Sequence, residues 1–383
     1  VTPALVAVLL LAACTSQDDP RPEDPAKRVA SKAAPERARL APDCPPGPST
    51  TTATSANRIN QGIARGGLPR WQAADIGAST RLSDGRIVWL FGDTLRTASY
   101  DPRVVANSML LSSRGCVSQV VPPSQGPVVP DAADGTVRWP MAVAAKRSGR
   151  VDTLVVLCSD IDRGDSGPFG FTYLGSSAAV FTVEPNGVPE LQKVVRLTPR
   201  SRDPQQVNWG AAAVLHDGWF YVYGTRLTGR PGDVGRELYV ARVPVEDPGD
   251  RRRWQFYDGT RWQPDHGRAA AVLPSQGGVS QTLSVDVVDG GFVAISKGGG
   301  DLGDFVYEWR SPTAWGPWTG HQEVAAPAGL DSGELQYAPL AHPEVPLRSG
   351  KLLVSVSRNT TDLQRLVSDP DIGRPRFVEV SRD

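Results

Sequence analysis

The sequence predicts an all-β fold: a five-bladed β-propeller preceded by a lipoprotein signal and a disordered linker. Three observations lead there. Gly (39) and Pro (34) together take about a fifth of the 383 residues, and both break helices, so long helices are excluded. Five x-Gly turns, Asp84-Gly85, Ser148-Gly149, Asp217-Gly218, Asp289-Gly290 and Ser349-Gly350, recur every 60–72 residues. Each leads into a short apolar run: Ile87-Val88-Trp89-Leu90-Phe91, Leu154-Val155-Val156-Leu157, Trp219-Phe220-Tyr221-Val222-Tyr223, Phe292-Val293-Ala294-Ile295 and Leu352-Leu353-Val354-Ser355-Val356. Such a turn between apolar runs signals a hairpin, because Asp and Gly tolerate positive φ. One unit of this size cannot bury both of its faces, whereas units stacked around an axis can. A two-sheet sandwich is the competing architecture, and it does not predict so regular a spacing.

Residues 2–13 form an apolar run that ends at Cys14. The run is shorter than the ~20 residues a membrane-spanning helix needs, and it fits the apolar core of a secretory signal. Leu11-Ala12-Ala13-Cys14 resembles a bacterial lipobox, which implies a diacylglyceryl group on Cys14. The expected layout is a signal over residues 1–13 and a Pro-, Ala-, Ser- and Thr-rich tether over 14–57, with the propeller over 58–383. The protein would then sit on the outer face of the cytoplasmic membrane, as a monomer. An exported chain can form disulfides. Cys158 lies within an apolar run and reads as a buried thiol, so Cys44 and Cys116 are the expected pair.

Lys+Arg and Asp+Glu both number 41. This balance argues against a nucleic-acid partner, which would call for a basic excess. The four His (His216, His266, His321, His342) are scattered and there is no C-x-x-C pair, so no metal site and no cofactor are expected. Gly298-Gly299-Gly300-Asp301-Leu302-Gly303 has the G-x-G-x-x-G form but precedes a strand-like run, Phe305-Val306-Tyr307-Glu308-Trp309, rather than a helix. It is not a dinucleotide fingerprint.

The run after each turn ends in a small residue followed by charge: Gly92-Asp93, Ser159-Asp160, Gly224-Thr225-Arg226, Ser296-Lys297 and Ser357-Arg358-Asn359. Equivalent positions in a propeller share one end face, so these groups are expected around one mouth. Asp75 lies nine residues before Asp84, and Asp93 nine after it. Across an antiparallel hairpin the two are therefore opposite, or one residue off. Opposed side chains lie roughly 4.5–5.5 Å apart at Cβ, and two carboxylates that close cannot both ionise freely. One protonated and one ionised carboxyl is the division of labour that glycoside hydrolysis needs. A register error of one would send the two side chains to opposite faces. The first strands of later blades add candidate sugar ligands: Asn208 and Trp209, then Glu334, Gln336, Tyr337 and His342. Trp209 is expected to stack on the sugar, and Arg226, Arg358 and Asn359 to orient hydroxyls, with Asp160 and Lys297 completing the mouth.

Asp75-Ile76-Gly77 followed by Asp84-Gly85-Arg86-Ile87-Val88-Trp89-Leu90-Phe91-Gly92-Asp93-Thr94 resembles a family of secreted bacterial five-bladed propellers long catalogued as a domain of unknown function. Asn107-Ser108, Trp209-Gly210, Gly316-Pro317-Trp318, His342-Pro343-Glu344 and Ser357-Arg358-Asn359 extend the resemblance over about residues 65–380. Some members are endo-acting hydrolases of D-arabinan. The resemblance implies a cell-surface glycoside hydrolase of a furanose-rich polysaccharide, with Asp75 and Asp93 as its acid/base pair. The alternative is a non-catalytic glycan- or protein-binding propeller on the same anchor.

Overall fold

The structure is a computed structural model that describes residues 37–47, 53–64, 68–164, 170–330 and 332–382. The expectations for the signal peptide and for Cys14 lie outside the described residues.

The hairpin signals set the blades. Asp217 and Gly218 have φ of 48° and 76°, and Asp289 and Gly290 have 51° and 83°. Each pair forms a two-residue loop, closing His216 onto Trp219 and Val288 onto Gly291. Five antiparallel sheets follow in chain order, each built outward from an inner strand. The inner strands are Ala73–Arg81, Val137–Ser148, Asn208–His216, Leu283–Val288 and Glu334–Ala341. Their partners, the second strands, are Ile87–Leu95, Val151–Arg163, Trp219–Arg226, Gly291–Lys297 and Leu352–Thr360. The chain is a five-bladed propeller, as the turn spacing predicts.

The unbroken apolar runs have a direct cause. A second strand is covered on both faces by neighbouring blades, so it has no solvent side to alternate with. Leu154 and Val156 pack with Val88, Leu90, Met109 and Leu111 of blade 1. Val155 and Leu157, one residue out of phase, pack with Phe220 and Val222 of blade 3. Each fully buried side chain of this kind is worth about 1.5–3 kcal/mol.

The ring closes differently from the expected boundary at residue 58. Arg39–Ala41 is the outermost strand of blade 1, paired with Cys116–Val121, and the Cys44–Cys116 disulfide locks it there. Blade 5 has three strands, and helix Ala56–Ala64 covers its outer strand Arg376–Val380. Asn60 stands in for a neighbouring strand. Its Nδ2 donates to the Phe377 carbonyl and its Oδ1 accepts from the Phe377 N–H, both at 2.8 Å. The segment expected to be a tether is therefore folded from residue 37 to 47. Low apolar content concealed this, because a disulfide and backbone pairing hold the segment in place of a large core.

Four inner strands carry a bulge at the same level. Register slips after Ile76, Pro140, Trp209 and Tyr337, which pair with Phe91, Cys158, Gly224 and Ser357. Extra residues on the inner strand bend it and re-aim the side chains just ahead of the slip.

Candidate active site

Inner strands begin, and second strands end, at one end of the propeller, so the predicted mouth residues converge there. The bulge divides them by position. Asp75, Trp139, Asn208 and Gln336 each stand one residue before the slip. On the second strands, Asp93, Asp160, Arg226 and Asn359 each stand two residues past the last pair before it. Arg358 comes one residue too early for this set.

Blade 1 supplies the carboxylate pair. Ala74 pairs with Thr94 and Ile76 with Phe91, so Asp75 faces both Gly92 and Asp93. A Cβ at position 92 would come within 2.4 Å of Asp75 Oδ1, so glycine is what admits the carboxylate here. Asp75 Oδ2 accepts from the Tyr337 hydroxyl at 2.7 Å, and that hydroxyl accepts from Asn359 Nδ2 at 3.2 Å. Asp75 Oδ1 is buried without a hydrogen-bond partner among the described residues. Asp93 Oδ1 accepts from Trp139 Nε1 at 3.0 Å and is ion-paired to Arg163. Burial pushes the Asp75 carboxyl up to about 6, against the pull of the Tyr337 hydroxyl. Burial, and next the charge of Asp75, push Asp93 up to about 7, against Arg163 and Trp139. The two titrate as a pair that holds a proton close to neutral pH. Such a pair can give a proton to one oxygen while its ionised member acts on another centre.

The other predicted site residues are distributed unevenly. Tyr337 and Asn359 join Asp75 from blade 5. Asn208 is buried at the Asp75-equivalent position of blade 3, and Gln336 is half-buried at that of blade 5. Asp160 is buried, accepts from Ser177 Oγ at 2.6 Å and lies 3.7 Å from Arg138 Nε. Arg226 is engaged at 2.7 Å by Glu237, and Glu334 is ion-paired to Arg365. Lys297 is fully buried, its Nζ lacks a hydrogen-bond partner among the described residues, and burial lowers it to about 8.

Two expectations are corrected. Trp209 is only 5% exposed, and its ring packs edge-on against Phe256 and Trp254 with centroids 5.1 and 6.1 Å away. It stands one residue beyond the mouth position, so strand alternation turns it into the interface between blades 2 and 3. His342 is wholly buried between Ser79 Oγ (2.5 Å) and Ser355 Oγ (2.8 Å). Burial holds its pKa down at about 3, and it serves as a neutral joint between blades 5 and 1. Trp139 and Arg163, which hold Asp93, are absent from the predicted set. The hairpin counting that located Asp75 also locates Trp139 when applied to blade 2.

Fold and site together define a five-bladed propeller with a coupled acid pair at its mouth. The chain belongs to the family described as Domain of unknown function (DUF5005), whose model matches residues 66–382. No curated protein matches it by sequence. Among solved structures it is similar to a Bacteroides ovatus ATCC 8483 protein provisionally described as a hydrolase. Identity is 17%, with 90% of this chain and 94% of that chain covered and a TM-score of 0.65. It is also similar to a glycoside hydrolase family 43 arabinoxylan arabinofuranohydrolase from Bacillus subtilis, solved with cellotetraose. There, identity is 12%, with 86% of this chain and 66% of that chain covered and a TM-score of 0.50. At these identities the likeness establishes a shared fold.

Proposed function

We propose that the protein is a cell-surface glycoside hydrolase that cleaves internal linkages of a furanose-rich, arabinan-type polysaccharide. The observation that carries this reading is the coupled Asp75–Asp93 pair at the mouth, with both carboxyls raised toward neutrality. In this reading Asp93, whose side chain is 33% exposed, protonates the leaving oxygen. Asp75 is the ionised partner, because the hydroxyl that Tyr337 donates favours its charged form. Trp139 and Arg163 orient the first, and Tyr337 with Asn359 the second. The same fold carries the Bacillus subtilis arabinofuranohydrolase, which agrees with sugar chemistry at such a mouth. Export and a lipid anchor on Cys14 belong to the same proposal.

The test is incubation of the protein with arabinogalactan, comparing wild type with Asp75→Asn and Asp93→Asn. Each substitution is expected to lower oligosaccharide release by about 10²–10⁴-fold, the usual worth of a general acid or base. Release that survives both substitutions would sink the assignment. Tight polysaccharide binding by a wild type that releases nothing would favour a glycan-binding propeller instead.

A further inference from the structure

Blade 2 ends beside Asp93 in three side chains that belong together. Trp139 occupies the Asp75-equivalent position of its inner strand and donates its indole N–H to Asp93 Oδ1. Arg163 closes the second strand and is ion-paired to the same oxygen. Phe171 opens the third strand, Phe171–Val183, as the direct register partner of Arg163. Its ring meets the Trp139 ring at a centroid distance of 4.9 Å and an angle of 69°. Phe171 is 36% exposed and the Arg163 side chain 40% exposed, so the outer surface of this group faces solvent. A single exposed phenyl ring would call for no explanation. Here it continues, through Trp139 and Arg163, to one oxygen of the acid pair. Asp93 is the only acceptor of the Arg163 guanidinium among the described residues. A guanidinium has five N–H donors, so most of them remain available.

We propose that Phe171, Trp139 and Arg163 form a sugar-binding subsite beside the scissile linkage, a role that rests on the hydrolase reading. The C–H face of one sugar residue stacks on Phe171, and Arg163 donates to its hydroxyls. The occupant is a neutral sugar residue of the polysaccharide: the surface pairs an apolar ring with donors, and its one cationic group stands against the acid pair, which keeps one negative charge on Asp75. The subsite also supplies the stacking surface that Trp209, buried between blades, does not. A sugar held there lies next to the proton donor, so its binding positions the linkage for the acid pair.

The experiment measures two quantities in the full-length protein. The first is the KM and kcat of arabinan hydrolysis in wild type, Phe171→Ala and Phe171→Tyr. The second is the affinity of arabinan oligosaccharides, followed through tryptophan fluorescence in an Asp75→Asn background that does not turn over. Phe171→Ala is expected to raise KM and weaken oligosaccharide affinity about fivefold to tenfold, with the larger effect on KM than on kcat. Phe171→Tyr, which keeps a ring to stack on, should restore most of both. Unchanged affinity and KM in Phe171→Ala overturns the subsite and leaves the hydrolase reading standing. A wild type that binds oligosaccharide but does not hydrolyse it overturns the hydrolase reading, and the binding measurement then decides the subsite alone.

Discussion

Asp75 keeps one carboxylate oxygen on the Tyr337 hydroxyl and leaves the other buried and, among the described residues, unpartnered. Holding this group and Asp93 as two charges is costly, and the cost appears as a dependence of stability on pH. An unfolded aspartate ionises near pH 3.9. The folded pair does so only near 6 and 7. Between these limits the native state binds more protons than the unfolded one, so native stability falls as pH rises from about 4 to 7. Asp75→Asn removes one member and relieves the other. The variant should melt at the same temperature as wild type near pH 4 and a few degrees higher at pH 8. The expected gain is about 1–2 kcal/mol, discounted for the water that reaches Asp93. Melting curves at the two pH values check this, and a gain that is equal at both would show that the pair is not strained by its charges. Both aspartates were legible in the sequence because each is fixed by counting from one Asp-Gly turn. The same count gives Trp139 in blade 2 and Asn208, not Trp209, in blade 3. What could not be read is that Trp139 meets Asp93, because that contact depends on how blade 2 stacks on blade 1, and stacking leaves no periodic signal.

At the scale of elements, the second strands were the easiest to read and the edges the hardest. A run such as Leu154-Val155-Val156-Leu157 is conspicuous because both of its faces are buried. The outer edge of blade 5 is protected by one amide, Asn60, and nothing in the composition of that segment separates this Asn from any other. An unpaired strand edge is a hazard that folded proteins cover in some way. Asn60→Ala should leave both backbone groups of Phe377 without partners and cost about 2 kcal/mol. Hydrogen exchange should quicken at Phe377 and its neighbours in Arg376–Val380 while the second strands remain protected. Unaltered exchange there would mean that packing of the helix alone covers the edge.

Over the whole molecule, the blade count followed from turn spacing and the closure of the ring did not. Spacing reports how many units exist, whereas closure rests on contacts between distant parts of the chain. The Cys44–Cys116 bond spans 72 residues, and a loop of that length implies about 4 kcal/mol from restricting the unfolded chain. Replacing both cysteines by Ser should lower the free energy of unfolding by about that amount in a denaturant titration. A far smaller loss would show that the outer strand of blade 1 holds without its bond. The Asn60–Phe377 contact carries a consequence in time. Its two ends lie 317 residues apart, so at about 5–20 residues per second the helix waits roughly 15–60 s on the ribosome for the strand it covers. Blades 1 to 4 can stack as they are synthesised, but the last blade and the first can be joined only once nearly the entire polypeptide exists. A nascent chain halted before Glu334, which lacks the blade 5 strands that meet Asp75 and Ser79, should therefore remain an open arc, with one face of blade 1 and one of blade 4 bare.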